Sequence, residues 1–118
     1  MPKPTVVTIY HNPRCAKSRA ALALLEERGI EPAVIEYLTT PPTKDELRAL
    51  VAKLGMAPGN LVRKGEEIYK QKYKGKTLTD DQWLDALVRD PILLERPIVV
   101  RGGKAIVGRP PEKVRELL

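Results

Sequence analysis

The residues of this chain that are best suited to chemistry are its only cysteine, Cys15, and its only histidine, His11. An apolar run over residues 6–10 predicts a buried strand just before them, and residues 16–28 predict a helix just after them. Cys15 is therefore expected on the turn into a helix, where partial positive charge and free amide donors favour a thiolate over a thiol. Basic side chains close by in the sequence add to this effect, namely Arg14, Lys17 and Arg19. We expect a lowered pKa for Cys15 and a nucleophilic role.

The alternative for Cys15 is a purely structural role, because a lone cysteine is also a common small apolar residue of protein cores. Its immediate neighbours are polar or basic, which favours the reactive interpretation. His11 reaches the thiol only if the turn folds back, and otherwise caps or braces the loop. A single cysteine also excludes an internal disulfide and any metal site built from cysteines alone. A free reactive thiol suits the reducing cytoplasm.

Three arginines far apart in the sequence, Arg63, Arg96 and Arg109, each stand at the edge of a predicted element. Arg96 and Arg109 precede prolines, which fix the local backbone and help to aim the side chain. A planar guanidinium grips a tetrahedral oxyanion through two parallel hydrogen bonds, and three such groups around a thiolate stabilise the incoming charge. The alternative is that they are ordinary members of a surface built from 21 basic residues. We favour an anion-binding role for the three together.

The composition is that of a globular chain of one domain, with 118 residues, 42% of them hydrophobic and 31% charged. The net charge of +6 favours anionic partners. Aromatic residues make up only 4% and form no cluster for base stacking, which argues against a nucleic-acid partner. No window reaches the roughly 18 apolar residues of a membrane span, and residues 1–5 lack the apolar core of a signal peptide. We therefore expect a cytoplasmic protein with no membrane partner.

The predicted elements follow the order β-α-β, then helices, then β-β-α. A parallel strand–helix–strand unit followed by a hairpin gives a four-stranded mixed sheet flanked by helices. This is the thioredoxin-like α/β arrangement, here with a helical insertion after the second strand at about residues 43–94. We expect one domain over residues 1–118. By analogy with that fold, the bond before Pro97 is expected to be cis, with the proline facing the thiol.

Two helices of the predicted insertion begin at capping boxes, one at Thr43 and one at Thr79. Apolar residues of the second helix are expected to face the core, and these are Trp83, Leu84, Leu87 and Val88. A run of alternate lysines between these helices predicts a solvated face. Its members are Lys70, Lys72, Lys74 and Lys76.

Several segments, in order along the chain, carry a resemblance to a known family. They are residues 10–15 (Tyr-His-Asn-Pro-Arg-Cys) with 18–19, and residues 61–64, 79–82, 93–100 and 107–112. These segments resemble the motifs of the ArsC family of glutaredoxin-linked arsenate reductases, within the ArsC/Spx-like group. The resemblance spans nearly the whole chain and is closest to a short arsenate-reductase-like subgroup. It implies a thioredoxin-like fold and the reduction of arsenate to arsenite.

The resemblance also implies roles for individual residues. Cys15 matches the nucleophile, His11 the histidine that influences its ionisation, and Ser18 the serine that hydrogen-bonds near the thiolate. The family's three oxyanion-binding arginines match Arg63, Arg96 and Arg109. In the implied reaction the thiolate attacks arsenate and an oxygen leaves as water; glutathione then joins the adduct and a glutaredoxin supplies the last thiol. Partners are then arsenate or a similar oxyanion, glutathione as co-substrate and glutaredoxin, with no tightly bound cofactor and no metal.

The single cysteine limits which mechanism is available. With no second cysteine the chain cannot resolve its own oxidised intermediate, so turnover needs external thiols. Ser18 stands where the related Spx regulators have the second cysteine of Cys-x-x-Cys, which argues against that redox switch. The Cys-x5-Arg loop of phosphatase-like arsenate reductases is absent, because Arg19 follows Cys15 after three residues. Two alternatives stay open: another glutathione-dependent thiol oxidoreductase on the same fold, and a Spx-like, non-enzymatic regulator that binds a protein.

Overall fold

The computed structural model describes residues 6–118; residues 1–5, and with them the expected absence of a signal peptide, lie outside the described part. Contacts divide the described chain into two compact units. One combines residues 6–40 with 96–118, and the other is Pro41–Glu95, which contains the segment predicted as the helical insertion. That the whole chain acts as one domain stays a prediction. Among residues 6–118, no helix is both long enough and apolar enough to cross a membrane.

The first unit is built on a four-stranded mixed sheet in the order β2-β1-β3-β4. Its strands are β1 Val7–His11, β2 Ala33–Glu36, β3 Ile98–Arg101 and β4 Lys104–Val107. β1 runs parallel to β2 and antiparallel to β3, while β3 and β4 form an antiparallel hairpin. The predicted mixed sheet is therefore confirmed. β1 lies one residue later than predicted, so that His11 is its last residue.

Helix α1, Ala16–Glu27, and a terminal 3₁₀ helix, Pro111–Leu117, pack against each other beside the sheet. The sequence predicts the last helix at the right place, but it is wound more tightly than an α-helix. Buried aliphatic residues join these elements, among them Ile9, Leu25, Val99 and Val114. Burying a side chain of this size contributes about 1.5–3 kcal/mol. This core fixes α1 against β1, and with it the loop between them that contains Cys15.

The second unit, Pro41–Glu95, is helical. Its elements are α2 Lys44–Leu54, a 3₁₀ turn Pro58–Leu61, α3 Glu67–Lys72, α4 Asp80–Arg89 and a 3₁₀ turn Pro91–Leu93. Both predicted capping boxes are present, one beginning at Thr43 and the other at Thr79. Lys44 Nζ lies 2.9 Å from carboxylate oxygens of both Asp81 and Asp85, so ion pairs join the start of α2 to α4.

The prediction for the buried face of α4 is correct for Leu84 and Leu87, which are buried, and wrong for Val88, which is 38% exposed. Successive helix residues are about 100° apart. The buried face of α4 therefore continues from Leu87 to Asp90, about one turn later, and Val88 lies outside that face. Trp83 is half-buried and packs against two tyrosine rings, with centroids 6.0 and 6.5 Å away. The four lysines between residues 70 and 76 are exposed, as predicted.

Candidate active site

Cys15 is the residue immediately before α1, with an extended backbone (φ −93°, ψ 121°). Its N–H donates to the carbonyl of Asn12 at 2.9 Å, which closes the turn that leads out of β1. Its own carbonyl accepts the N–H of Arg19 at 3.0 Å and so opens the first helical turn. The side chain is partly exposed. The thiol therefore stands at the predicted place, facing amide donors that α1 does not itself satisfy.

The pKa of the Cys15 thiol is lowered from its ordinary value. Partial burial raises the pKa, but three hydrogen-bond donors outweigh it. They are the backbone N–H of Ser18, the guanidinium of Arg96 and the backbone N–H of Lys17, and the positive charge of Arg96 acts in the same direction. The lowered pKa expected from the sequence is confirmed, and amides of the helix start are among its physical causes.

Ser18 and His11 form a buried pair beneath this loop. The His11 Nδ1 atom lies 2.6 Å from the Ser18 hydroxyl oxygen, and the tautomer of the ring decides which of the two donates. Burial lowers the pKa of His11; the carboxylate of Glu36 raises it and the guanidinium of Arg19 lowers it, with a net lowering. The fold therefore favours the neutral form of the ring. Of the two roles considered for His11, this contact is the bracing one.

Asn12 organises the same loop, although the sequence analysis assigned it no role. It is buried, its side-chain Oδ1 accepts the N–H of Arg14 at 3.0 Å, and its own N–H donates to the Ser18 hydroxyl at 3.0 Å. Its carbonyl accepts the N–H of Cys15. The signal for this role is the dipeptide Asn12-Pro13, since asparagine before proline favours a turn closed by the asparagine side chain.

Arg96 and Arg109 lie together because β3 and β4 are paired. Ile98 is opposite Val107 in the hairpin; Arg96 comes two residues before Ile98 and Arg109 two residues after Val107, so both stand at the same end. The Arg109 Nη1 atom donates to the Arg96 carbonyl at 3.5 Å. The Arg96 guanidinium in turn lowers the pKa of the Cys15 thiol, through hydrogen bonding and through its positive charge. The hairpin thus brings two of the three predicted arginines into a connected group with the thiol.

The backbone segments that carry Arg96 and Arg109 pack tightly against each other. The bond Arg96–Pro97 is cis, as predicted, and so is Arg109–Pro110, for which the sequence analysis made no prediction. The Gly108 N–H donates to the Pro97 carbonyl at 2.8 Å. A Cβ atom at Gly108 would lie 3.0 Å from Pro97 Cγ and 3.1 Å from Val114 Cγ2. Only glycine allows this approach without displacing a neighbour.

Arg63, the third predicted arginine, belongs to the second unit and follows the 3₁₀ turn Pro58–Leu61. Its N–H donates to the Leu93 carbonyl at 2.7 Å. Its Nε atom lies 3.6 Å from a carboxylate oxygen of Glu66 and 3.8 Å from one of Glu95. The Nη1 atom is buried and has no hydrogen-bond partner among residues 6–118. Neither glutamate stands out in the sequence.

The first unit thus brings together five of the six predicted site residues: His11, Cys15, Ser18, Arg96 and Arg109. A thiolate with guanidinium groups around it can attack a tetrahedral oxyanion and hold the resulting charge. Lys17 acts on the sulfur through its backbone, and its side chain is exposed. Within residues 6–118, no group of three or more His, Cys, Asp and Glu side chains is arranged to hold a metal ion.

The chain is similar to known proteins in both sequence and structure. The model of the ArsC family matches residues 10–117. The chain is 48% identical to the uncharacterized protein YfgD of Escherichia coli strain K12, over 95% of this chain and 96% of that protein. It is also 48% identical to an arsenate reductase of Neisseria meningitidis serogroup A, over 95% and 97% of the two chains. The solved structure of an arsenate reductase from Vibrio cholerae superimposes with a TM-score of 0.94 at 48% identity, covering 98% of this chain and all of that one.

Proposed function

This chain belongs to the ArsC family, and from that premise we propose that it reduces arsenate to arsenite, with Cys15 as the nucleophile. The observation that carries the proposal is the state of the Cys15 sulfur. It stands at the start of α1, and backbone amides together with the Arg96 guanidinium lower its pKa. A thiolate held beside a fixed cation is suited to attack an anionic, tetrahedral substrate.

The first step forms a bond between sulfur and arsenic. The Cys15 thiolate attacks arsenate, and one oxygen leaves as water after protonation, so that arsenic stays pentavalent in the adduct. Arg96 and Arg109 neutralise the charge of the substrate and of the oxyanion that develops during attack. Arg63 is the third arginine of this set in the proposal. Its inclusion is supported by its match to the family segment and by its buried Nη1 atom, which has no hydrogen-bond partner among residues 6–118. Amide donors favour the anionic form of the sulfur.

The second stage needs thiols from outside the chain, because Cys15 is its only cysteine. Glutathione displaces another oxygen as water and bonds to arsenic. A glutaredoxin thiolate then attacks the glutathione sulfur; the pair of electrons of the sulfur–arsenic bond stays on arsenic, which becomes trivalent. Hydrolysis releases arsenite and restores Cys15. Two thiols become one mixed disulfide, and arsenic gains two electrons. We place the reaction in the cytoplasm, where such thiols stay reduced.

Ser18 and His11 act in this scheme by fixing the loop and not by transferring protons to the substrate. The Ser18 hydroxyl is hydrogen-bonded to His11 and to the backbone N–H of Asn12. These contacts hold in place the backbone amide of Ser18, which is a donor to the sulfur. Loss of either side chain is expected to act mainly through the pKa and the orientation of the thiolate.

Arsenite release in the presence of glutathione and glutaredoxin tests the proposal. Cys15→Ser should abolish it. Arg96→Lys keeps the charge but loses the planar fork, so kcat/KM for arsenate should fall at least about tenfold. Arg101→Lys, at the far end of β3, is the matched control and should change kcat/KM less than about twofold, since Arg101 is exposed. A wild-type protein that releases no arsenite with both thiol donors present rules the proposal out.

A second candidate activity is thiol–disulfide exchange with glutathionylated substrates. It is favoured by the partial exposure of Cys15 together with its lowered pKa, because such a thiolate also attacks disulfides. An exchange assay with a glutathionylated peptide and no arsenate separates the two activities. Exchange without arsenite release would support the second candidate alone.

A further inference from the structure

A short backbone bridge holds Arg63 and Glu95 in a defined relation to each other. The Arg63 N–H donates to the Leu93 carbonyl at 2.7 Å, and the Glu95 N–H donates to the Leu61 carbonyl at 2.8 Å. Both bonds belong to one isolated antiparallel bridge. In antiparallel pairing this register puts Arg63 and Glu95 diagonally opposite on the same face, a distance that long side chains can span. The glutamate carboxylate accordingly reaches within 3.8 Å of Arg63 Nε.

Glu66, three residues after Arg63, approaches the same nitrogen from the turn that precedes α3. Its N–H donates to the Arg63 carbonyl at 3.3 Å, which closes a turn just before α3. Its carboxylate lies 3.6 Å from Arg63 Nε. The Glu66 and Glu95 side chains are each 25% exposed and that of Arg63 is 22% exposed. The three charged groups are thus largely removed from water, where ion pairs are screened less than at a free surface.

Both carboxylates approach the guanidinium at its Nε atom. A guanidinium presents its five N–H donors in a rigid plane, so a contact at Nε also fixes the direction of the Nη1 donors. Nη1 is buried and, within residues 6–118, has no hydrogen-bond acceptor. A buried donor of this kind costs free energy unless an acceptor arrives. The arrangement is that of a guanidinium oriented in advance for an incoming anion.

We propose that Glu66 and Glu95 are positioning residues, which hold the Arg63 guanidinium in the orientation that binds the oxyanion. This inference rests on the proposed function of Arg63 in arsenate binding. Carboxylates close to an anion site repel the anion, so their electrostatic effect opposes binding. Their contribution is therefore to the orientation of Arg63, which must exceed that repulsion.

Charge repulsion and positioning of Arg63 predict opposite effects on the KM for arsenate. Glu66→Gln and Glu95→Gln each remove a negative charge with little change of shape. If the glutamates were only background charges, their loss would raise the positive potential and lower the KM for arsenate. If they position Arg63, their loss raises that KM. If their role were purely structural, their loss would lower the free energy of unfolding and leave the KM of the folded enzyme unchanged.

Steady-state kinetics of the double variant Glu66→Gln/Glu95→Gln is the main experiment. We expect its KM for arsenate to rise about tenfold, as is typical when the partner of a site residue is lost, with a smaller change in kcat. Glu67→Gln is the matched control for the single variant Glu66→Gln: it removes one negative charge from the adjacent residue, whose carboxylate contacts Gln71 instead. In an Arg63→Ala background the double substitution should change KM less than about twofold, because the glutamates act through Arg63.

A KM that is unchanged or lowered in the double variant, or that rises equally with Arg63→Ala already present, would overturn the inference. The Nε–H proton signal of Arg63 in nuclear magnetic resonance spectra gives a readout that does not depend on turnover. It should be protected from exchange in the wild type and lose that protection in the double variant. If the wild type shows no arsenite release, the proposed function fails, and this signal still decides whether the two glutamates orient Arg63: unchanged protection in the double variant rejects it.

Discussion

At the scale of single residues, the loop before α1 shows how uncharged groups set the chemistry of a charged one. Asn12 holds the loop through its carbonyl, its N–H and its side-chain oxygen, and none of these groups carries a charge. The hydrogen-bond donors to the Cys15 sulfur include two backbone amides of the same loop and helix start. Keeping this loop neutral apart from its basic side chains is therefore part of what keeps the thiol ionised.

The first prediction concerns a charge placed at Asn12. Asn12→Asp preserves an acceptor for the Arg14 N–H but adds a negative charge to the loop, which raises the pKa of Cys15 because like charges disfavour the thiolate. Alkylation of Cys15 by iodoacetamide at pH 7 should slow roughly threefold, since screening in this partly exposed loop limits the effect. Ultraviolet absorbance of the thiolate, followed against pH, measures the shift directly.

Asn12→Ala is the control for that experiment. It removes the side-chain acceptor without adding charge, so it should lower the free energy of unfolding by about 1 kcal/mol and slow alkylation less than Asn12→Asp does. Equal thiol pKa values in the wild type and Asn12→Asp would show that the loop does not control the ionisation of Cys15.

The second prediction is a pH dependence of stability that arises from His11. Its pKa in the folded protein is below the value of about 6.5 that it has in an unfolded chain. The neutral ring is thus the form the fold prefers. The stability it contributes is complete above about pH 6.5 and is lost as the pH falls through the lower, folded pKa. Urea unfolding at about pH 7.5 and about pH 5.5 should show a larger loss for the wild type than for His11→Asn, which has no group that titrates there. Equal losses would contradict the prediction.

At the scale of elements, the hairpin of β3 and β4 determines where two of the arginines stand. Arg96 enters the hairpin and Arg109 leaves it, and pairing brings both to the end where the chain also approaches the thiol. Gly108 lies between them and is in close contact with Pro97 and Val114. Because Gly108 has no side chain, the two segments that carry the arginines can pack closely, and the position of one depends on the position of the other.

The third prediction tests that coupling with Gly108→Ala. The added methyl group would lie 3.0 Å from Pro97 and 3.1 Å from Val114, so one of these segments must shift. We expect the free energy of unfolding to fall by about 1–3 kcal/mol, and the KM for arsenate to rise because Arg96 and Arg109 move apart. Gly103→Ala, in the turn of the same hairpin, meets no atom within 4 Å and should leave KM unchanged. A similar KM for the two variants would mean that the close contact at Gly108 does not position the arginines.

At the scale of the whole molecule, the parts that the sequence predicts are those that depend on local patterns. Apolar runs and capping boxes are local signals, and the sheet, α2 and α4 follow them. The cis bond at Pro97 is predicted by analogy with the thioredoxin-like fold. The position of Cys15 follows as well, because a strand and a helix on either side define the turn. The family resemblance also implies which distant arginines act together with Cys15.

The parts that the sequence does not predict depend on contacts between distant segments. Glu66 and Glu95 look like ordinary charged residues in the sequence. A local turn brings Glu66 to Arg63, and only the bridge between Val62 and Leu94 brings Glu95 there. Val88 fits a helical stripe as well as its neighbours do, but the packing of α4 decides where that stripe ends. Asn12 carries a turn signal that does not reveal which amides it binds.

The last prediction concerns the one property that belongs to the whole chain, its single cysteine. Because no second thiol is present, oxidised glutathione should add one glutathione to each chain and produce no internal disulfide. With arsenate and no added thiol, arsenite should not exceed about one equivalent per chain, because Cys15 is the only thiol present and nothing restores it once it is oxidised. Intact mass spectrometry and an arsenite assay check these outcomes, with Cys15→Ser as the control that takes up no glutathione. Arsenite released by the wild type over many turnovers without added thiols would show that the reducing electrons do not come from external thiols, and the proposed route through glutathione would have to be abandoned.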